Sequence, residues 1–206
     1  LYMYATKWQL TMGLISGFFL LGPFICTGLY ELSRQRAAGD KPNLIDSFFA
    51  WRRNLGSIAF FAVILTFAMT VWVRVSVVIF ALTSTTSFPS IQGVVFAIFS
   101  AENVTFLLVW AAAGLVFSSV IFAISVVSIP MLLERNADTM IAIFSSARAL
   151  LANPGTLLVW AALIVAIIGV SFALGFWPLI VTAPLLGHAT WHAYTALIAP
   201  EADAAS

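Results

Sequence analysis

His188 and His192 are the only two histidines of the chain, and they lie four residues apart in the segment GHATWHAY. Residues at this spacing share one face of a helix, so both imidazoles can turn toward one ligand. A metal or haem site at this pair is therefore one hypothesis. A zinc site commonly takes four ligands, and only Cys26 and Glu31 are expected at a similar height on another helix. The sequence thus offers few candidate ligands for a metal.

A hydrogen-bonding role is the simpler interpretation of these histidines. One imidazole would bond a neighbouring helix or Glu31, while Trp191 and Tyr194 would anchor the helix end at a membrane surface. Glu31 and Arg34, three residues apart, can pair across one helical turn. We expect no metal, haem or other cofactor apart from bound lipid. The candidate polar cluster comprises Tyr30, Glu31, Arg34, His188, Trp191, His192 and Tyr194.

The composition indicates that lipid surrounds most of this chain. Hydrophobic residues make up 62% of the 206 residues and charged residues 8%, against roughly 45–50% and about 25% in soluble domains. Each apolar run exceeds the roughly 20 residues that cross a hydrocarbon core. We predict an all-α fold, a polytopic transmembrane helix bundle forming one domain over residues 1–206. The expected spans are about 8–31, 55–83, 103–133, 155–175 and 177–198.

Two features of the apolar runs decide this count of five. The last run is too long for one crossing, and it contains Gly175-Phe176-Trp177-Pro178, where glycine frees the backbone and proline suits a new first turn. The chain also opens on LYMYA, which resembles the tail of an earlier apolar segment. A further helix upstream is therefore expected.

The cations predict how the spans are oriented. Short loops rich in Lys and Arg stay on the cytoplasmic side, and the basic residues concentrate in the loops 32–54 and 134–154. We expect these loops and the C-terminus to be cytoplasmic. No basic stripe with interleaved aromatic residues is present, so nucleic acid is not an expected partner.

Three segments outside the spans show the pattern of helices that lie in the headgroup plane. They are expected at about 43–54, 89–100 and 138–152, with apolar side chains on one face and polar ones on the other. We call 43–54 the first elbow and 138–152 the second elbow. The residues expected to anchor them at the interface are Phe48, Phe49, Trp51, Arg52, Arg53 and Arg148.

The two elbows also suggest an internal repeat with an offset of 99 residues. This offset aligns Ser47 with Ser146 and Asn54 with Asn153, and it places each asparagine where it can cap the following span. Two units of span, elbow and span would then share one orientation, as transporters often do. Convergence of similar joints on similar residues explains the match equally well.

Pairs of small residues four apart mark helix faces that can pack closely. They are Gly13 with Gly17, Gly114 with Ser118, Gly169 with Ala173, and Ala183 with Gly187. We expect these pairs to serve mainly packing inside the chain.

Several segments carry a resemblance to a known family. In chain order they are SGFFLLGPFICTGLYELSRQR, AWRRN, SFPS, VVSIPMLLER, ANP and PLLGHATWHAY. Together they resemble the bacterial integral membrane family called domain of unknown function 2189, over nearly the whole chain. The family has no established activity, although some members carry labels that refer to cytochrome c oxidase. Two histidines on one helix cannot ligate two haems and a copper, so oxidase catalysis is not expected.

Three functional hypotheses follow. The sequence has no G-x-S-x-G, Walker or H-E-x-x-H motif and no paired cysteines, so we expect no enzyme. The favoured hypothesis is a noncatalytic accessory or scaffold subunit that packs beside other transmembrane subunits and membrane lipids, in a respiratory or electron-transfer complex. The alternative is a transporter or channel for a small or lipophilic solute. The third is metal or haem binding at His188 and His192.

Overall fold

The structure, a computed structural model, describes residues 8–83 and 104–198, with the backbone alone for residues 8–21. The predicted surface helix at 89–100 and the packing of Gly13 with Gly17 lie outside the described residues and side chains. Within the described ranges the chain is helical and contains no strand, which confirms the all-α fold class.

The helices follow the predicted order. In the described ranges they are α1 (Trp8–Ala37), α2 (Leu44–Phe48), a 3-10 helix (Ala50–Asn54), α3 (Leu55–Thr83), α4 (Val104–Ser125), α5 (Ser128–Glu134), α6 (Thr139–Ala152), α7 (Pro154–Ala173) and α8 (Leu179–Leu197). The chain divides into two compact units. The first comprises the described parts of residues 1–63 and 122–206, and the second comprises those of residues 64–121.

Three helical stretches among the described residues are long and apolar enough to cross a membrane. They are Ala50–Thr83, Val104–Glu134 and Pro154–Ala173, and they coincide with the second, third and fourth predicted spans. The first and fifth predicted spans fall on α1 and α8. That these two helices cross the membrane stays a prediction.

The first elbow is two short helices rather than the single helix predicted. The side-chain oxygen of Asn43 accepts hydrogen bonds from the amides of Ile45 at 2.9 Å and Asp46 at 3.4 Å. These bonds satisfy amides that have no partner inside a helix, so α2 begins there. After Phe49 the chain tightens into the 3-10 helix. Phe48 and Phe49 are exposed, as expected of interfacial side chains.

The second elbow forms the predicted helix, α6. Its start is capped by Asp138, whose carboxylate accepts a hydrogen bond from the amide of Met140 at 2.8 Å. The buried residues follow helical spacing on one face, and the large apolar side chains of Met140, Phe144 and Leu151 are exposed on the other. An exposed apolar face is what a helix lying on a membrane surface requires.

The helix of the third predicted span, 103–133, is interrupted near its end. α4 ends at Ser125, a turn follows at Val126 and Val127, and α5 begins at Ser128. The hydroxyl of Ser146, on α6, donates to the carbonyl of Ala123 at 2.7 Å and accepts from the amide of Val127 at 3.4 Å. These bonds satisfy backbone groups that the interrupted helix leaves free. The apolar pattern alone gives no sign of the interruption.

The predicted break between the last two helices is confirmed. Residues 174–178 form a turn, in which Gly175 (φ 78°) and Phe176 (φ 72°) adopt left-handed backbone conformations. Glycine reaches that region without steric cost. The hydroxyls of Ser171 and Thr182 lie 3.2 Å apart and link α7 to α8 across the turn.

The two asparagines of the proposed repeat do not cap the helices that follow them. Asn54 donates its amide hydrogens to the carbonyls of Leu132 at 3.0 Å and Ala137 at 2.8 Å. Asn153 precedes Pro154, which is the first residue of α7 as predicted, but its side chain makes no capping bond. The capping prediction was wrong because Asn54 is turned toward α5 by tertiary packing.

Another pair of positions does correspond in the two halves. A Cβ added to Gly28 would lie 3.2 Å from the carbonyl oxygen of Ser47. At the same offset of 99 residues, the amide of Val127 bonds to Ser146. Each elbow therefore uses the same serine position to contact the span before it.

In the second unit, aromatic side chains join the described parts of α3 and α4. A Cβ added to Gly114 would lie 3.2 Å from the ring of Trp72, which confirms internal packing at this glycine. The indole of Trp110 donates to the hydroxyl of Ser76 at 3.0 Å. An apolar groove of about 330 Å³ lies beside these rings.

Candidate functional site

A fully buried carboxylate, Glu31 on α1, is the centre of the candidate site. Arg34 donates from Nε and Nη2 to its two oxygens, each at 2.8 Å. Arg53 donates from Nη1 and Nη2 at 2.7 and 2.9 Å. Each guanidinium thus holds both oxygens in a fork, the strongest geometry for this pair of groups. The predicted pairing of Glu31 with Arg34 is confirmed.

Gln35 extends this cluster to the first elbow. Its side-chain amide donates to Glu31 at 3.0 Å, and its side-chain oxygen accepts from the backbone amide of Asn43 at 2.7 Å. Burying a carboxylate is costly unless its oxygens are satisfied. Here charged and neutral donors surround it. The hydrogen bonds to Glu31 also raise the pKa of Arg34, which keeps its guanidinium charged.

The three arginines among the predicted interfacial anchors have different surroundings. Arg53 was predicted to face the interface, but its guanidinium is bound to Glu31. Arg52 lies with its guanidinium carbon 4.2 Å from the ring centre of Phe49 and 5.3 Å from that of Trp51. This cation-π geometry leaves a charge beside exposed aromatic surface. Arg148 is exposed, and its contact with lipid stays a prediction.

The histidines do not gather a ligand set among the described residues. Nδ1 of His188 is hydrogen-bonded to the hydroxyl of Ser33, which is buried on α1. This is the predicted bond to a neighbouring helix, made to a serine rather than to Glu31. His192 is exposed. Within residues 8–83 and 104–198, no three His, Cys, Asp or Glu side chains lie close enough to hold a metal ion.

The two aromatic residues beside the histidines face protein. Trp191 and Tyr194 are 2% and 1% exposed, so the prediction that they anchor α8 at a lipid surface was wrong. The hydroxyl of Tyr194 donates to the carboxylate of Glu134 at the end of α5. Helices α1, α5 and α8 therefore meet at the elbow end of the first unit, and this contact takes the place of the expected lipid contact.

Tyr30 belongs to the predicted cluster by position only. It is buried one residue before Glu31, and its hydroxyl pairs with the thiol of Cys26 rather than with a charged group. Both residues lie on α1, four apart, so their contact follows from helical geometry. Neither contributes to the charged cluster.

A cleft of about 580 Å³ opens beside the charged cluster. It is bounded by the ends of α1, α5 and α8 and by the 3-10 helix. An apolar groove of about 490 Å³ lies elsewhere in the first unit, between α1 and the first elbow. The side chains around the cleft include those of Arg34, Arg53, Glu134, Asn136, Trp191 and Thr195.

The comparison with known families identifies a membrane protein family. A family model described as "Predicted integral membrane protein (DUF2189)" matches residues 10–134, which is more than half of the chain. The chain belongs to the DUF2189 family. The DUF2189 match contains Glu31, Arg34, Arg53 and Glu134, whereas the α8 residues lie beyond it. No curated protein and no solved structure matches the chain significantly.

The contact that sets α8 against α1 makes a testable prediction. A Cβ added to Gly187 would lie 2.7 Å from Cδ1 and 3.2 Å from Cβ of Leu29. We expect Gly187→Leu to lower the free energy of unfolding by about 1–2 kcal/mol, because overpacking forces neighbouring atoms to move. Chemical unfolding in mixed micelles measures it. Gly56→Leu is the matched control, since nothing lies within 4 Å of a Cβ there; equal losses in both variants would contradict the prediction.

Proposed function

We propose that this DUF2189 protein is a noncatalytic accessory or scaffold subunit of a larger membrane complex. The observation that carries the proposal is the exposure of α7. Of the 20 residues of Pro154–Ala173, only Leu157 and Ser171 are buried within the part of the chain that the structure describes. A helix of this length and composition therefore leaves most of its surface to lipid or to another protein.

One face of α7 suits a second helix better than it suits lipid alone. Ala162, Ala166, Gly169 and Ala173 follow the spacing of one helix face, and all four are exposed. Nothing lies within 4 Å of a Cβ at Gly169. Small residues allow two backbones to approach closely, which drives helix association where hydrophobicity cannot. We place the partner subunit on this face.

The polar groups of the described spans support packing rather than transport. Hydroxyls of Thr70, Ser119 and Ser171 donate to carbonyls one turn earlier on their own helices, at 2.9, 2.7 and 2.7 Å. They are therefore already satisfied. Both grooves beside the described spans are apolar. A polar solute would need unsatisfied polar groups along its route, so we retain transport only as the alternative.

The charged cluster supports a noncatalytic role in the same way. Glu31 has both oxygens bound to guanidiniums, which leaves it a poor proton acceptor. We propose no enzyme activity and no cofactor. Placement in an inner membrane with cytoplasmic elbows, and association with a respiratory complex, are parts of this proposal that rest on the sequence.

Purification from the source membrane in mild detergent tests the proposal. We expect other transmembrane subunits to accompany the chain, identified by mass spectrometry. The double variant Ala166→Leu with Gly169→Leu should reduce their recovery by about tenfold, because bulk at a close helix contact must be accommodated.

The control is Val165→Leu, which changes an exposed apolar side chain beside the small-residue face. It should keep the partners, and both variants should keep the stability of the isolated chain, because none of the three positions is buried. A chain that leaves the membrane as a lone monomer would count decisively against the proposal.

A further inference from the structure

On one wall of the cleft, two arginines pair with the single carboxylate of Glu31. Arg34 and Arg53 share a single carboxylate, so one positive charge of the three-residue group remains. Their bonds to Glu31 use Nε and Nη2 of Arg34 and both Nη atoms of Arg53. Nη1 of Arg34 and Nε of Arg53 make no hydrogen bond to the described residues. The two side chains are 33% and 44% exposed, so a ligand can reach them.

Another wall of the same cleft carries a carboxylate that can accept a further hydrogen bond. Glu134 is exposed at the end of α5, and one of its oxygens, Oε2, accepts the hydroxyl of Tyr194. Its Oε1 accepts no hydrogen bond from the described part of the chain. The charges of Asp40 and, to a smaller extent, Glu134 act on Arg34, so Glu134 and Arg34 lie within electrostatic range of each other.

These charges make the cleft dipolar and close to neutral. Arg34 and Arg53 carry two positive charges, and Glu31 and Glu134 carry two negative ones. Close by, the negative charge of Asp40 acts on Arg34 and the positive charge of Arg135 acts on Tyr194, so the balance is kept. A simple anion would meet Glu134, and a simple cation would meet the arginines. A zwitterion with its charges a few atoms apart satisfies both walls. The cleft also lies where headgroups are expected, because Arg34 is three residues past the predicted end of the first span.

We propose that this cleft binds the phosphoethanolamine headgroup of a phospholipid, with the phosphate at Arg34 and Arg53 and the ammonium at Glu134. The N–H groups of Arg34 and Arg53 that do not bond Glu31 can donate to phosphate oxygens. A primary ammonium has three N–H donors for a carboxylate. Phosphatidylcholine has no N–H in its headgroup, and phosphatidylglycerol has no cation. The arrangement therefore distinguishes ethanolamine from both.

Native mass spectrometry of the detergent-purified full chain tests this inference. The probes are phosphatidylethanolamine, its mono- and dimethyl derivatives, phosphatidylcholine and phosphatidylglycerol, all with identical acyl chains. We expect ethanolamine lipid to bind about fivefold more tightly than choline or glycerol lipid, the size of one exposed ion pair. Affinity should fall as N–H groups are replaced along the methyl series. Equal affinities throughout the series overturn the inference.

A conservative variant locates the effect. Glu134→Gln keeps an oxygen for the Tyr194 hydroxyl but removes the charge, and it should abolish the preference for ethanolamine over choline. Asp46→Asn removes an exposed acid of the first elbow outside the cleft lining, and it should keep the preference. A preference that survives Glu134→Gln refutes the assigned site.

A soluble headgroup distinguishes the lipid from a free metabolite. Glycerophosphoethanolamine offers the same charges without acyl chains, and we expect it to bind at least about tenfold more weakly, because acyl chains add buried apolar surface. Binding as tight as that of the lipid would overturn the assignment to a membrane ligand. A chain that carries ethanolamine lipid but no partner subunit would leave this inference standing while the scaffold proposal fails.

Discussion

Replacing Glu31 with alanine is expected to lower the free energy of unfolding by about 3 kcal/mol. The change leaves two guanidiniums beside each other without their carboxylate, and it removes the acceptor of the Gln35 amide. Breaking a buried ion pair costs about 3–5 kcal/mol. We expect the lower end, because the side chains of Arg34 and Arg53 are 33% and 44% exposed and solvent can reach them. Equilibrium unfolding in mixed micelles measures the loss.

A double-mutant cycle on the two arginines tests the same prediction. Arg34→Ala and Arg53→Ala should each cost less than the loss of Glu31, because the other guanidinium still balances the carboxylate. The double variant should cost more than the two single losses added, since a buried carboxylate then has no counter-charge. Asp46→Asn, at an exposed acid, should change stability by less than about 0.5 kcal/mol. A Glu31→Ala chain as stable as this control would show that the cluster contributes nothing to the fold.

Part of this cluster could be predicted because it is local in the sequence. Glu31 and Arg34 are three residues apart, and helical geometry alone brings them together. Gln35 is four residues from Glu31 and offers the same signal. Arg53 does not, because its 22-residue separation from Glu31 includes the first elbow. Its placement depends on the turn at Phe49, and amphipathic patterning does not predict that turn.

The contacts of α8 show a similar limit. The helix itself and the break before it follow from composition and from Gly175. Its contact with α1 depends on Gly187 meeting Leu29 and on Ser33 meeting His188, residues more than 150 positions apart. Aromatic residues at a helix end suit either a lipid interface or a protein contact. The burial of Trp191 and Tyr194 shows that protein packing decides here.

The interruption of the third span also depends on a residue that is distant in the sequence. Residues 103–133 contain no charged side chain and are mostly apolar, so hydropathy predicts one uninterrupted span. The turn at Val126 and Val127 is held by Ser146, a residue of the second elbow. A serine in a surface helix carries no signal that it bonds the backbone of another segment. The elbows, which are predicted to lie on the membrane surface, are thus also joints of the fold.

Asn54 of the first elbow provides the most direct test that the elbows hold other helices in place. Asn54→Ala is expected to lower the free energy of unfolding by about 2 kcal/mol. The variant loses two hydrogen bonds to the carbonyls of Leu132 and Ala137, which lie 78 and 83 residues away in the chain. Two acceptors at the end of α5 lose their partner together. Asn54→Asp should be at least as harmful, because a carboxylate cannot donate to a carbonyl.

Asn153 is the internal control, since it occupies the corresponding position 99 residues later. Its side chain makes one long bond, 3.5 Å, to the carbonyl of Ala149 on the adjoining helix. Asn153→Ala should therefore cost less than about 0.5 kcal/mol, in the same micelle unfolding measurement. Equal losses at the two positions would mean that both asparagines act alike, as the capping hypothesis required. A large difference means that Asn54, at the end of the first elbow, holds the end of α5 in place. The second elbow then does not use its asparagine in this way. The two halves would then share the serine contact to the preceding span and differ in how each elbow is fastened.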